Sequence, residues 1–166
     1  MNILILGSGI VGANLAKKLS EQGKNVFLID DNTEELKSLS DKFDIKTLTD
    51  DPLDPGFYKN FNQKINYFIA VTKSDEKNIL TCKFAKDFLK VDKTIARIRN
   101  QNLINEANDN SFKARNEFLD YVISPENEVA GNIFEKIHMP GAFFSEKLIS
   151  NQLSLVGLKS SDLFKN

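Results

Sequence analysis

Three glycines near the amino terminus have the spacing of a phosphate-binding turn. Gly7, Gly9 and Gly12 form the pattern Gly-x-Gly-x-x-Gly, which follows the apolar run Ile3–Leu6 and opens a helical pattern. The pattern alone is weak, but a preceding strand, a following helix and an acid roughly 20 residues later together indicate a dinucleotide-binding turn. Asp30 is that acid, at the end of a second apolar run.

Each glycine has its own chemical role in such a turn. Gly7 lets the backbone leave the strand tightly, Gly9 has no Cβ to block a pyrophosphate, and Gly12 lets the helix pack closely on the sheet. The phosphates are expected on the free N–H groups of the first helical turn, at the positive end of the helix dipole. The alternative is an ordinary strand-to-helix turn in which Asp30 only precedes a helix cap.

Asp30 indicates which nucleotide would bind. Its carboxylate can accept hydrogen bonds from both hydroxyls of an adenosine ribose at the end of the second strand. A 2′-phosphate would instead meet Asp30 and Asp31, with no Arg close by in the sequence, so an unphosphorylated ribose is favoured. NAD⁺, NADH, ATP and ADP share that adenosine end and all remain candidates.

Composition excludes several classes of protein. The chain has 166 residues with 22 basic and 23 acidic side chains, which suits one domain without the charge needed for nonspecific binding of nucleic acid or membranes. No apolar run approaches the roughly 20 residues that span a bilayer, and no signal-peptide pattern is present. We therefore expect a cytoplasmic protein without direct membrane insertion.

Disulfides and clustered metal ligands are not expected. Cys82 is the single cysteine and His138 the single histidine, so neither an internal disulfide nor a Cys- or His-based metal site can form. Cys82 lies in an apolar helical stripe and is predicted to be a buried structural thiol. His138 ends a helix, where a solvated or carbonyl-capping role is expected.

Short apolar runs alternate with amphipathic helical patterns along the chain, which is typical of a parallel sheet flanked by helices. The predicted strands are Ile3–Leu6, Val26–Ile29, Ile45–Leu48, Tyr67–Val71, Thr94–Ile98 and Tyr121–Ile123. Their nearly continuous apolar character suits strands covered on both faces. The fold class is thus α/β, a Rossmann-like doubly wound sheet over residues 1–123, with a heavily buried helix centred on Cys82.

The last part of the chain, residues 124–166, has a different pattern. Pro125 is predicted to open a helix whose apolar residues Val129, Ile133, Phe134 and Ile137 form one long edge. An apolar segment from Ala142 and a strand-like alternation over 153–158, with few neighbours to pair with, follow. So much unpaired apolar surface indicates a partner subunit or a following domain; the alternative is that these segments fold back over the sheet.

Several local strings resemble one protein family. They are MNILILGSGIVGANLAKKLSEQGKNVFLIDDN, FIAVTKSDEKNILTCKFAK, TIARIRN, YVISPENEVAGNI and MPGAFFSEKLISNQLSLVGL. In this order they are similar to the N-terminal domain of the TrkA family, the cytosolic NAD-binding regulators of Trk-type potassium uptake, of the RCK (regulator of potassium conductance) class. The resemblance covers essentially the whole chain.

The resemblance implies a set of nucleotide-binding residues. The family's phosphate loop corresponds to Gly7, Ser8, Gly9, Ile10, Val11 and Gly12, its ribose ligand to Asp30, and its later contacts to Thr72, Lys73 and Arg97. The family continues into a C-lobe that this chain does not include. Residues 124–166 are accordingly expected to form a crossover helix with a dimerisation or linker tail.

Three further expectations concern the strand ends. Arg97 and Arg99 are expected on one face of the fifth strand, where they would bind phosphate or a partner's acid, or pair with surface acids. Ser74 is a predicted N-cap. Asp51 would either approach the adenine amino group or form a turn before Pro52.

The resemblance also implies the function. We expect a cytosolic regulatory subunit, peripheral to the inner face of the membrane, that senses NAD(H) or an adenine nucleotide and gates potassium transport. Its partners would be further copies of itself, as dimers assembling into a ring, and a membrane potassium-translocating subunit. The alternative, a small NAD-dependent oxidoreductase, lacks obvious catalytic residues: His138 lies far along the chain, and no Tyr has Lys four residues later. No catalytic residue and no metal ligand is therefore predicted.

Overall fold

Strands and helices alternate through the first 124 residues, as the apolar pattern predicts. The computed structural model describes residues 1–108, 117–138, 142–148 and 153–158. The chain divides into two units, Met1–Ser124 and Pro125–Asn166.

Six parallel strands form the sheet of the first unit. They are β1 (Asn2–Leu6), β2 (Asn25–Asp30), β3 (Lys46–Thr49), β4 (Tyr67–Ala70), β5 (Lys93–Arg97) and β6 (Tyr121–Ile123). Their order in the sheet is β3-β2-β1-β4-β5-β6, so the chain reverses its direction of winding between β1 and β4. This confirms the predicted doubly wound α/β fold and puts a crevice at the carboxyl ends of β1 and β4.

Within residues 1–108 and 117–124, five helices connect these strands. They are α1 (Ile10–Glu21), α2 (Thr33–Ser40), α3 (Pro55–Asn60), α4 (Asp75–Phe84), which continues into a π-helical turn (Ala85–Leu89), and α5 (Gln101–Asn108). After α1, Gly23 adopts φ +71°, and its N–H donates to the Ser20 carbonyl at 2.8 Å. Gly23 thus ends the first helix as expected, because glycine tolerates this left-handed conformation.

Both faces of the sheet are covered by apolar packing. Alternate residues of β1 enter two different clusters: Leu4 and Leu6 belong to one, Ile3 and Ile5 to the other. All four are at most 2 % exposed. A strand buried on both faces needs apolar residues at every position, which explains the continuous apolar run in the sequence.

The helix centred on Cys82 is less fully buried than predicted. Cys82 and Ala85 are buried, but Leu80 and Phe88 are 42 % and 37 % exposed. The face that packs on the sheet includes the polar Asn78 and Thr81, and the π-helical turn changes the 3.6-residue period beyond Ala85. Leu80 and Phe88 therefore lie at the surface, whereas Phe84 packs against the core. Helix α2 ends at Ser40, so Phe43 packs from the following loop.

In the part of the second unit that the structure describes, there are one helix and a pair of strands. Helix α6 spans Pro125–His138, and β7 (Ala142–Leu148) pairs antiparallel with β8 (Leu153–Leu158). The expectation that the strand over 153–158 has few neighbours to pair with was wrong. The segment from Ala142, which the sequence analysis described only as apolar, is strand β7 and pairs with it. The predicted helix stop at 139–141 lies outside the described residues.

One side of α6 carries exposed apolar side chains. Val129, Ile133, Phe134 and Ile137 have exposed fractions between 54 % and 70 %, at the positions predicted to form one edge. In the part of the chain that the structure describes, none of the helices combines the length and apolar character required to cross a bilayer.

Candidate functional site

A cleft of about 780 Å³ lies at the carboxyl edge of the sheet, where the strand order reverses. Its lining combines the glycine loop, the end of β2 with the start of α2, and the segments after β4 and β5. The residues are Leu6, Gly7, Ser8, Gly9, Ile10, Val11, Asp30, Asp31, Asn32, Glu35, Pro52, Val71, Thr72, Lys73, Ser74, Lys77 and Arg97. The structure therefore brings together every predicted site residue except Gly12, which lies behind the loop.

The glycine loop leaves open space at one position and close packing at the other two. Gly7 has φ +108°, and a Cβ there would lie 3.2 Å from the Thr72 nitrogen. A Cβ on Gly12 would overlap the Gly7 carbonyl oxygen, whereas a Cβ on Gly9 would meet nothing within 4 Å. Only Gly9 therefore has its missing side chain directed at free volume, as expected of a glycine over which a pyrophosphate passes.

The first turn of α1 has no side-chain cap. Asn32, Asp54 and Ser74 each accept a backbone N–H at the start of α2, α3 and α4, whereas Gly9 offers no such acceptor and the first turn of α1 contains no acid. The first N–H groups of a helix have no partner within the helix. At α1 these donors lie beside the cleft, and the helix dipole makes them a site for an anion.

Asp30 is held in place by the glycine loop. Its Oδ2 accepts from the Ser8 N–H at 2.6 Å and its Oδ1 from the Asn32 N–H at 3.0 Å. Burial raises the pKa of Asp30, but hydrogen bonds, chiefly those from the Ser8 and Asn32 N–H groups, together outweigh burial and lower the pKa below its ordinary value of 3.8. Asp30 is therefore a carboxylate at neutral pH, and its remaining lone pairs are available to ribose hydroxyls.

A second carboxylate contacts the same loop. The Ser8 hydroxyl donates to Glu35 Oε2 at 3.0 Å, and Ser8 is only 1 % exposed. Glu35 was not predicted as a site residue, since one acid on an amphipathic helix carries no distinguishing pattern. With Asp30 and Asp31, it makes the side of the cleft at β2 and α2 acidic.

The opposite side of the cleft depends on Asn78. This fully buried side chain accepts from the Thr72 N–H at 3.0 Å and from the Thr72 hydroxyl at 2.7 Å, and it donates to the Arg97 carbonyl at 2.8 Å. It thereby links the ends of β4 and β5. Sequence reasoning missed Asn78; the one available signal was an amide beside the apolar stripe of α4. Lys73 and Lys77 give this side of the cleft positive charge.

The prediction that Arg97 and Arg99 lie on the same face of the fifth strand was wrong. Strand β5 ends at Arg97; beyond it, the backbone N–H groups of Arg99 and Asn100 donate to Asp75 Oδ2 at 2.9 and 2.8 Å. The Arg99 Nε lies 3.8 Å from Asp75 Oδ1. Arg99 therefore pairs with the first turn of α4, whereas Arg97 lines the cleft.

Other sequence expectations are resolved in favour of structural roles. Asp51 Oδ1 accepts from the Leu53 N–H at 2.9 Å and forms a turn, and Ser74 caps α4 by accepting from the Lys77 N–H at 3.1 Å. Cys82 is buried, and burial raises the pKa of its thiol. His138 Nδ1 lies 2.9 Å from the Phe134 carbonyl oxygen. Within the described residues, no three His, Cys, Asp or Glu side chains come together as metal ligands.

Fold and cleft together define a Rossmann-type nucleotide-binding domain. The chain belongs to the TrkA-N domain family, whose model matches residues 3–125. It is 33 % identical over 161 residues to the Trk system potassium uptake protein TrkA of Haemophilus influenzae, an alignment that covers 96 % of this chain and 35 % of that protein. The chain thus spans about a third of the length of this relative.

Solved structures show the same fold. The TrkA-N domain of the inner membrane protein ybaL from Escherichia coli superposes with a TM-score of 0.67 at 15 % identity, over 81 % of this chain and 94 % of that one. The GsuK channel bound to NAD gives a TM-score of 0.66 at 17 % identity, over 90 % of this chain and 25 % of that one.

Proposed function

We propose that this chain is the nucleotide-sensing domain of a regulatory subunit of Trk-type potassium uptake, and that it binds NAD(H) in the cleft. The observation that carries the proposal is that the uncapped first turn of α1 and the ionised Asp30 lie in the same cleft. The relationship to TrkA supports the transport role. The NAD named for the GsuK channel supports the ligand class.

The chemistry of each side of the cleft supports one orientation of the ligand. The adenosine ribose binds Asp30, and the diphosphate crosses Gly9 to reach the N–H groups of Ile10 and Val11. The second half of a dinucleotide then extends toward Thr72, Lys73 and Arg97. ATP and ADP share the first two of these contacts and are the alternative ligands.

The bound nucleotide acts as a signal in this proposal and is not turned over. Proton transfer beside a nicotinamide calls for a side chain such as Tyr or His at the cleft. Tyr67 and Tyr121 begin β4 and β6, at the opposite edge of the sheet, and the buried Tyr58 hydroxyl donates to the Pro52 carbonyl at 2.8 Å. Hydride transfer from a panel of alcohols or hydroxy acids would contradict this role.

The proposed partners are copies of this chain and a membrane potassium-translocating subunit. The exposed apolar side of α6 supports contact between protomers, as dimers within a ring at the inner face of the membrane. For the ligand to gate transport, it must bind two arrangements of this assembly with different affinity, since equal affinity shifts nothing.

Calorimetric titration with NAD⁺, NADH, ATP and ADP tests the proposal. The decisive variant is Gly9→Ala, because the added methyl group enters the open space assigned to the diphosphate without striking the protein. We expect at least tenfold weaker binding. The cost in unfolding free energy is at most about 1 kcal/mol, because alanine is a poorer N-cap than glycine.

The matched control is Gly131→Ala in α6, where a Cβ also meets nothing within 4 Å. Its nucleotide affinity is expected to equal that of the wild type. Wild-type protein that binds none of the four nucleotides, or a Gly9→Ala variant with full affinity, would overturn the proposal.

A further inference from the structure

Asn78 is a polar residue in the buried face of α4, and its amide joins two strand ends. Besides accepting from Thr72 and donating to the Arg97 carbonyl, its Nδ2 lies 3.2 Å from the Thr72 carbonyl oxygen. The side chain is 0 % exposed. It cannot contact a ligand, so any effect on binding must act through Thr72 and Arg97, which both line the cleft.

The same turn of α4 makes a second link to the sheet. Asp75 accepts the backbone N–H groups of Arg99 and Asn100, at the exit from β5. Asp75 and Asn78, three residues apart, lie on neighbouring parts of one helical face. The first turn of α4 therefore fixes the backbone on both sides of Arg97 as well as the turn after β4.

A dinucleotide binds a Rossmann sheet in two halves across the point where the strand order reverses. The adenosine half belongs to the β1–β2 side, where Asp30 and the glycine loop lie. The distal half belongs to the β4–β5 side. The hydrogen bonds of the Asn78 side chain all go to this second side, so its influence falls mainly on ligands that extend beyond the diphosphate.

We propose that Asn78 is a positioning residue that holds Thr72 and Arg97 for the distal half of a dinucleotide, and so sets the preference for a dinucleotide over the corresponding mononucleotide. The inference rests on the proposed function. Because NAD and ADP share the adenosine diphosphate, the ratio of their dissociation constants, compared between variant and wild type at the same pH, reports on the distal half.

The test measures dissociation constants for NAD⁺ and ADP by calorimetry on the wild type and on Asn78→Asp, at about pH 8 and about pH 5. At the higher pH the new carboxylate has no proton to donate to the Arg97 carbonyl, and the preference for NAD⁺ is expected to fall about tenfold. Burial raises the pKa of a carboxyl group; at the lower pH the protonated group donates again and restores the preference. Asp30 stays ionised throughout, because its pKa lies below the ordinary value.

Thr81→Val is the matched control. Thr81 is also fully buried in α4, but its hydroxyl bonds within the helix, to the Lys77 carbonyl at 2.7 Å. This variant is expected to lower the melting temperature and to leave the NAD⁺-to-ADP ratio unchanged. Asn78→Ser, which also loses the amide donor, replaces Asn78→Asp if the latter does not fold at the higher pH.

The outcomes separate the two proposals. A wild type that binds neither nucleotide overturns the proposed function. A wild type that binds both, with an Asn78 variant that keeps the wild-type ratio, overturns the positioning role alone. A ratio that falls equally in Thr81→Val also overturns it, because the effect would then follow stability.

Discussion

Carboxylates on one side of the cleft restrict the ribose that can bind there. Asp30 is fixed by the Ser8 N–H, and Glu35 accepts from the Ser8 hydroxyl, so the loop proposed to receive the diphosphate also orients two acids. Asp31 lines the same side. A ribose hydroxyl gains acceptors here, whereas a ribose phosphate meets like charge in a partly desolvated site.

We therefore expect NADH to bind at least tenfold more tightly than NADPH. The double variant Asp31→Asn/Glu35→Gln removes two of the three charges without touching Asp30, and it is expected to narrow this difference. Calorimetry on both ligands measures the effect. An unchanged NADH-to-NADPH ratio in the variant would show that Asp30 alone discriminates.

The sequence predicts residues whose role depends on local spacing. The glycines belong to one turn and Asp30 to the strand beside it, so their spacing can be recognised in the sequence without knowledge of the fold. Glu35 and Asn78 were missed because their partners, Ser8 and Arg97, are 27 and 19 residues away. Such contacts exist only once the strands are placed side by side.

At the scale of elements, one carboxylate ties β6 to the rest of the sheet. Asp120, just before β6, lies 2.9 Å from the Lys86 Nζ and 2.8 Å from the Lys93 Nζ. It also accepts from the Thr94 N–H at 2.9 Å. Burial raises the pKa of Asp120, but the hydrogen bonds from Lys93, Lys86 and Thr94 outweigh it and lower the pKa to about 2.

Because of the Asp120 carboxylate, the free energy of unfolding depends on pH in the acid range. Because the folded pKa lies below the ordinary value of 3.8, the contribution is complete above about pH 4 and is lost as the pH falls toward 2. Asp120→Asn is expected to cost on the order of 2 kcal/mol at neutral pH and to flatten the stability profile in that acid range. Urea unfolding across a pH series measures both effects.

The control for this prediction is Asp44→Asn, at an exposed acid outside the network. It is expected to reproduce the wild-type profile. An Asp120→Asn profile as steep as that of the wild type would contradict the role of Asp120.

Element boundaries follow the sequence where burial is continuous. Each of the six strands begins and ends within one residue of its predicted bounds. In β1, β2 and β4 the reason is continuous burial, which shows as an apolar run in the sequence. The π-helical turn Ala85–Leu89 had no such signal. The wider π-helical turn depends on how this segment packs against the rest of the protein. The spacing of apolar residues in the sequence predicts an ordinary α-helix there.

At the scale of the whole molecule, the apolar side of α6 is the most direct surface for assembly. Replacing Ile133 and Phe134 together with Asp places two charges among exposed apolar side chains. We expect a smaller assembly by sedimentation velocity, with nucleotide affinity unchanged, since the cleft is lined by residues of the first unit.

Asn132→Asp is the control for charge on this helix, because Asn132 is an exposed polar residue. It is expected to sediment as the wild type does. If the double variant has the same sedimentation coefficient as the wild type, the protomers assemble through another surface.

The hydrogen bond between Ser8 and Asp30 has a consequence for how a signal starts. The adenosine end of the site is already in order before a ligand arrives, so little binding energy is consumed in shaping it. The binding free energy that is not consumed there can instead stabilise a changed conformation in another part of the site. A conformational change on binding would then begin where the part of the ligand beyond the diphosphate contacts the protein. Two ligands that are identical up to the diphosphate would therefore produce different conformational changes.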